Sequence, residues 1–528
     1  MKLLTHPAMI AVGATTLCLL SLIGPLVAPS HLALYHLSGS ASSVFLSILL
    51  YVFALWLLLT VLLLWARRPG WPRVFIWSSL TLGMPWILLK EYAVLALWPM
   101  PHALSVSVFV TCLVALLITL LLSLQLAFLP LFERAQPLVA TLLGFAALSG
   151  FLVLGQMLWF ARQARSLNIP RPLHQRQTAS SPRPIKTRVI WLLLDELSYQ
   201  QVYERRFPGL KLEAFDQLAA QSAVFTHAVP TAIYTEMAVP SLMTGVPADR
   251  VRSSSIGLLS LHNARTNSWQ PFDPHETVFQ DALTGGYSTG IAGWYNPYCR
   301  ILPSVLDRCF WTNHIVTVEP GFYTGQTLAE ALSAPLFRLY NSAKSLFRVR
   351  TRHDAEFEAS LHIADYRDLS AAADQLLDDS SIDFVFLHLP VPHPGGIYDR
   401  KTSSFTVRNS SYIDNLALAD KSLARVRHIL EQKGTWDSSA VIVMGDHSWR
   451  TALLWSDTSV WTAEDQAASH GGQFDDRPAY IVKMPYQRTP ERIDSHFAAI
   501  RTRALLDGII EGRLKTADDL AAWVALQP

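Results

Sequence analysis

Apolar residues follow two contrasting patterns along this chain. Over residues 1–161 they form long unbroken runs, whereas beyond residue 189 they come in short runs separated by polar stretches. Five runs, at 8–28, 42–66, 74–98, 104–131 and 137–160, reach the roughly 20 residues that a helix needs to cross a hydrocarbon core. They predict an N-terminal five-helix transmembrane bundle over residues 1–161. Lys90-Glu91 interrupts the third run and reads as the interfacial end of a shortened helix. Residues 162–188, rich in Pro, Arg and Ser, read as a basic linker without regular structure.

Within 189–528, continuous apolar runs at 189–194, 384–389, 440–444 and 479–482 suit strands buried on both faces, and the Gly-containing stretch 287–295 suits a further strand. Between the second and third runs, Ile413, Leu416, Leu423, Val426 and Leu430 recur at helical spacing, with Ser411 able to cap the start and Gly434 the end. Strand, helix, strand at this spacing is a βαβ unit. The expectation is a mostly parallel sheet between helices, with chemistry just past the carboxyl ends of its strands.

Charge sharpens the division. Overall 16% of residues are charged, against about 25% in an ordinary soluble chain. The first 161 residues carry six basic and two acidic side chains, residues 162–188 carry seven basic and no acidic ones, and residues 189–528 carry 30 basic and 39 acidic. The acidic C-terminal part excludes nucleic acid as a partner, since phosphate backbones are held by clustered Lys and Arg. The loop holding Arg67, Arg68 and Arg73 sets the N-terminus inside and, after five crossings, the C-terminal part outside the inner membrane, on the periplasmic side. The basic segment 162–188 pulls the other way, so either a span is miscounted or these residues lie against anionic headgroups. Cys299 and Cys309 can close a small loop, which would need an oxidising compartment, or remain thiols.

Candidate chemistry gathers at the predicted strand ends. Asp195-Glu196 ends the first strand, and His388 lies in a second that leads to His393. Gly445-Asp446-His447-Ser448-Trp449-Arg450 ends a third, and Ser469-His470 shortly precedes a fourth. A lone Asp there is commonly a turn former and a lone His a structural residue. Four such ends in one sheet point instead to a divalent metal. Carboxylate with imidazole favours Zn or Mn over Mg or Ca, and no CxxC offers thiolates. In PTAIYTEMAVPSLMTG (230–245), Thr235 stands at the start of a short helix, placed either to cap it or to act as a nucleophile; Thr231 competes with it. Arg450 can grip an anionic oxygen or pair with an acidic neighbour.

These motifs, in this order, resemble the alkaline phosphatase superfamily, specifically its sulfatase-like membrane enzymes that include phosphoethanolamine transferases and lipoteichoic acid synthases. The resemblance spans the chain and implies an α/β alkaline-phosphatase-like domain over 189–528. It implies Asp195, Glu196, Asp446 and His447 as metal ligands, with Thr235 as both ligand and nucleophile. His393 and His470 would act as catalytic histidines, and His388 and Arg450 would bind substrate. PSLMTG (240–245) is similar to the sulfatase PSR…LLTG signature, and ten residues back from Gly245 lies Thr235, where the transferases carry Thr. YIDNLALAD (412–420) is similar to the helix before the Asp-His pair. Ala238 and Leu242 depart from C/S-x-P-S-R, which excludes sulfate ester hydrolysis through formylglycine. The implied activity moves a phospho-headgroup from a phospholipid donor to an envelope glycan or glycolipid acceptor. The alternatives are a periplasmic phosphatase or phosphodiesterase, and a catalytically silent membrane scaffold of the same fold.

Overall fold

The computed structural model describes residues 3–19, 41–81, 83, 128–168, 186–253, 259–314, 327–336, 352–451 and 461–526. The chain divides into two compact units, Met1–Ile169 with Pro320–Val349, and Pro170–Glu319 with Arg350–Pro528. In the first, the helices Pro7–Cys18, Ala41–Trp65 and Phe128–Asn168 bring Ile10, Ala14, Leu63, Ala140 and Leu143 into one apolar cluster. The expected five-helix bundle is corrected here. Among the described residues two helices, not five, are long and apolar enough to cross a membrane, Ser42–Trp65 and Gln136–Trp159. The first apolar run yields a helix of only 12 residues, Pro7–Cys18, because an unbroken run sets an upper limit on helix length and not the length itself. Most of the runs at 74–98 and 104–131, Lys90-Glu91 included, lies outside the described residues. Residues 162–168, expected to be irregular, continue the last helix.

The second unit is built on an eight-stranded sheet. Its strands are β1 (Val189–Leu194), β2 (Ala223–Val229), β6 (Thr289–Trp294), β7 (Arg308–Thr312), β8 (Phe384–Leu389), β11 (Ala440–Met444), β12 (Tyr480–Lys483) and β13 (Glu491–Ala498), in the order β13-β2-β12-β11-β1-β8-β6-β7. A small sheet holds β3 (Ala248–Ser253), β4 (Leu259–Asn263) and β5 (Ser268–Pro271), and β9 (Tyr398–Asp399) pairs with β10 (Ser404–Phe405). Every neighbouring pair in the large sheet is parallel except those made by β12, which runs antiparallel to both β11 and β2. The sheet is therefore mixed.

β1 lies at its centre with all six residues buried, which is why its sequence is continuously apolar and does not alternate. Ile190, Leu192 and Leu194 join the core formed with the helices Arg352–Asp378 and Tyr412–Gln432. Trp191 belongs to the alternate set and packs on Phe386, ring centroids 4.4 Å apart. The Tyr412–Gln432 helix opens with Ser411 and Asp414 in a reciprocal capping box and is followed by Gly434 at φ 67°. Because β11, β1, β8 and β6 are adjacent and parallel, their carboxyl ends meet at one edge, and that edge positions the site.

A separate cluster steadies the helix that starts at Thr235. Arg503 donates to Thr244 O at 2.7 Å and to Asp281 Oδ2 at 2.9 Å, with Asp507 Oδ2 3.7 Å away. Burial, reinforced by the nearby Asp281 charge, pushes the Asp507 carboxyl up to about 7. Between pH 4 and 7 the folded chain thus holds a proton that the unfolded chain has released, so stability falls as pH rises through that window. Asp507→Asn is expected to flatten this slope, read as denaturation midpoint against pH.

Candidate active site

Asp195 and Glu196 follow β1 directly, and Asp446 and His447 follow β11 across the parallel pairing of the two strands. The two turns lock together: Glu196 N donates to Asp446 Oδ1 at 3.1 Å, and Tyr412 Oη donates to Glu196 O at 2.7 Å. Glu196 sits at φ 61°, a left-handed conformation that costs a non-glycine residue roughly 1–2 kcal/mol. Gly445 lets the turns approach, since a Cβ there would lie 2.7 Å from Leu197 O and 2.9 Å from His447 O. Both are backbone atoms, so Gly445→Ala should cost about 1–3 kcal/mol in thermal unfolding and reduce activity with it.

Thr235 is the first residue of the Thr235–Thr244 helix, whose N-cap is Tyr234, so its hydroxyl is not used in capping. Thr235 Oγ1 donates to Asp446 Oδ2 at 2.8 Å and lies 3.2 Å from Asp195 Oδ2 and 3.4 Å from His447 Nε2. Thr231, the competing hydroxyl, instead donates to Ala238 O at 3.2 Å. Asp195, Glu196 and Asp446 are fully buried, and His447 nearly so.

The donor set fits a divalent cation. His447 Nδ1 is 3.1 Å from Ser448 O and His393 Nδ1 is 2.8 Å from Pro394 O. A carbonyl oxygen only accepts, so in both rings Nδ1 carries the proton and Nε2 presents a lone pair. Those lone pairs face carboxylates: His447 Nε2 is 3.2 Å from Asp446 Oδ2, and His393 Nε2 is 3.8 Å from Glu196 Oε1. Asp195 Oδ1 is buried and has no hydrogen-bond partner among the described residues. Acceptors turned toward one another in a buried place call for positive charge between them. Two overlapping groups form, Asp195 with Asp446 and His447, and Asp195 with Glu196 and His393, each with its ligand atoms within 4.8 Å of one another.

Electrostatics agree. Burial drives the Asp195 carboxyl well above its usual range, and the charges of Asp446 and Glu196 add to this. Burial also opposes ionisation of Asp446, but His447 and His388 outweigh it and hold that carboxyl low. Glu196 likewise resists burial and is held low, chiefly by Arg450. Burial lowers His393 and His388 each to about 4, so both rings are neutral near pH 7.

Several residues stand differently from their sequence-based roles. His388 is fully buried, its Nε2 3.3 Å from Asp195 Oδ2 and its Nδ1 2.7 Å from Tyr298 Oη, so its ring nitrogens face a carboxylate and a phenol, not a substrate. Arg450 is committed to Glu196, with Nε donating to Oε1 at 2.8 Å and its backbone N to Oε2 at 3.1 Å; of its two expected roles, the structure has the acidic pairing. His470 is exposed after the Ala463–Ala468 helix, at φ 48°, and enters neither ligand group. Cys299 and Cys309 form a disulfide. Sequence reasoning missed Tyr298, Asn296 and Tyr412. The first two follow β6, and the strand-end rule applied to that strand would have found them.

A family model described as Sulfatase matches residues 187–486. Comparison with curated proteins finds no match. Among solved structures, a phosphonate monoester hydrolase of Agrobacterium radiobacter is 16% identical, with 62% of this chain and 74% of that chain covered and a TM-score of 0.37. The lipoteichoic acid synthase LtaP from Listeria monocytogenes is 14% identical, with 67% and 79% covered and a TM-score of 0.36. A protein in the alkaline phosphatase superfamily from Vibrio parahaemolyticus is 14% identical, with 66% and 74% covered and a TM-score of 0.34. With more than half its length matched and its acids and imidazoles gathered beside one hydroxyl at the sheet edge, the chain belongs to the sulfatase family.

Proposed function

We propose that this chain is a membrane-anchored, metal-dependent transferase that moves a phospho-headgroup, of phosphoethanolamine or phosphoglycerol type, from a phospholipid to a cell-envelope glycan or glycolipid. The observation that carries this reading is the Thr235 hydroxyl, 2.8 Å from Asp446 Oδ2, beside the cation-fitting acids. Asp195, Asp446 and His447 would hold the cation, with Glu196 and His393 completing the second group. Zinc or manganese, when bound, supplies the positive charge that stabilises a threonine alkoxide and a transferring phosphoryl group.

The chain's own residues account for the rest. Thr235 Oγ1 passes its proton toward Asp446 Oδ2 and attacks the donor phosphorus. A P–Oγ bond forms, the bond from phosphorus to the diacylglycerol oxygen breaks, and the diacylglycerol oxygen takes up the proton that Thr235 gave up. An acceptor hydroxyl then attacks the phospho-threonine, the P–Oγ bond breaks, and the proton lost by the acceptor hydroxyl passes to Thr235 Oγ1. Formylglycine chemistry has no place here, since Ala238 and Leu242 replace the residues it needs.

Two apolar helices of 24 residues support an anchor in the inner membrane. The Cys299–Cys309 disulfide supports a catalytic unit on the oxidising, periplasmic side. The test is mass spectrometry of the full chain after incubation with radiolabelled phospholipids. The mass added at Thr235 names the headgroup, and label reaching envelope polymer, not free headgroup, separates transfer from hydrolysis. An unmodified Thr235 under turnover would overturn the proposal.

A further inference from the structure

The three histidines around the nucleophile are not equivalent. His393 and His447 use Nδ1 on carbonyl oxygens and turn Nε2 lone pairs inward. His388 has a phenol at Nδ1, Tyr298 Oη at 2.7 Å, and a carboxylate at Nε2, Asp195 Oδ2 at 3.3 Å. A carboxylate only accepts, whereas a phenol can donate. With Asp195 ionised, as a bound cation would make it, one arrangement satisfies both contacts: Tyr298 donates to Nδ1, and Nε2–H donates to Asp195. The opposite tautomer would set an imidazole lone pair against the carboxylate.

We propose that Tyr298 is a positioning residue for Asp195, acting through His388, an inference that rests on the metal reading above. With Oδ2 held by His388 and 3.2 Å from Thr235 Oγ1, the carboxylate is oriented so that Oδ1, which has no hydrogen-bond partner among the described residues, is left for a cation. The chain takes several steps to seat this phenol. Gly293 leaves room for the ring, since a Cβ there would lie 2.2 Å from Tyr298 Cδ2. The ring packs edge-on against Phe386, and Asn296 Nδ2 is 3.4 Å from Oη. The next residue, Cys299, is tied by its disulfide to Cys309 in β7. Tyr298, His388 and Asp195 are all fully buried, so bulk water cannot substitute for the phenol.

Zinc titrated into the metal-free full-length chain tests this. Tyr298→Phe should weaken zinc binding by roughly 10–100-fold while leaving the metal-free melting temperature close to that of the parent chain. His388→Ala should give a similar loss, and the double variant should bind no more weakly than either single one, because both changes cut the same relay. Parental zinc affinity in Tyr298→Phe, or losses that add in the double variant, would overturn the proposal. If Tyr298→Phe does not fold, parental zinc affinity in His388→Ala overturns it equally. Asp195→Asn separates the two levels. If it loses zinc while Tyr298→Phe does not, only the relay fails; if it too keeps parental affinity, the metal reading falls and the relay with it.

Discussion

Thr235→Ala should reduce turnover by roughly 10⁴-fold or more, about 5 kcal/mol of transition-state stabilisation. The change removes the hydroxyl that, among the described residues, lies beside the cation-fitting acids, its Oγ1 2.8 Å from Asp446 Oδ2. It leaves Asp195, Asp446 and His447 in place, so the variant should still bind zinc stoichiometrically, which distinguishes a lost nucleophile from a lost centre. Thr235→Ser keeps the hydroxyl and should retain most of the rate. Thr231→Ala should fall within a few-fold of the parent, because the Thr231 hydroxyl is bonded to Ala238 O and not to the site. Initial rates with a phospholipid donor, set beside metal content, check all three variants. An undiminished rate in Thr235→Ala would remove this residue from the chemistry.

What the sequence could reveal depended on whether burial left a mark on it. VIWLLL, FVFLHL and AVIVM are strands buried on both faces, so their apolar runs are unbroken and legible. β2, β7 and β13 were not, because each is only partly covered: Thr226-His227 interrupts β2, Arg308 begins β7 exposed, and Asp494-Ser495-His496 interrupts β13. The reversal of β12 was hidden too, since an apolar run carries no direction. At the site, Asp195, Asp446 and His447 were legible because strand ends converge in a parallel sheet. The function of His388 was not, because its position inside β8 directs it to Asp195 and Tyr298, contacts made 193 and 90 residues away in the chain. The commitment of Arg450 to Glu196 depends on the left-handed turn at Glu196, which no residue type announces. Over residues 1–161, hydropathy marked five apolar runs, but among the described residues only two helices are long and apolar enough to cross a membrane, because an apolar run does not fix where a helix begins and ends.

Asp195→Asn should change stability in opposite directions with and without metal. In the metal-free chain, Asp195 lies buried beside Asp446 and Glu196, and their charges together with burial push its carboxyl well up. An amide that retains oxygen at the Oδ2 position keeps the contacts to Thr235 Oγ1 and His388 Nε2, and its nitrogen takes the place of Oδ1, which has no partner to lose. Removing one of three crowded acids should therefore leave the metal-free melting temperature unchanged or raise it. Added zinc should stabilise the parent by about 4 kcal/mol at a thousandfold excess over its dissociation constant, following ligand linkage. The variant should show almost none of that gain, because an amide nitrogen stands where the cation-facing oxygen was. A residue serving only to pack the fold would show the reverse, with loss of stability in the metal-free state and an unaltered response to zinc. Paired melting curves with chelator and with zinc decide between them, and a zinc-induced shift in Asp195→Asn equal to that of the parent would mean that the acids at this sheet edge do not hold a metal.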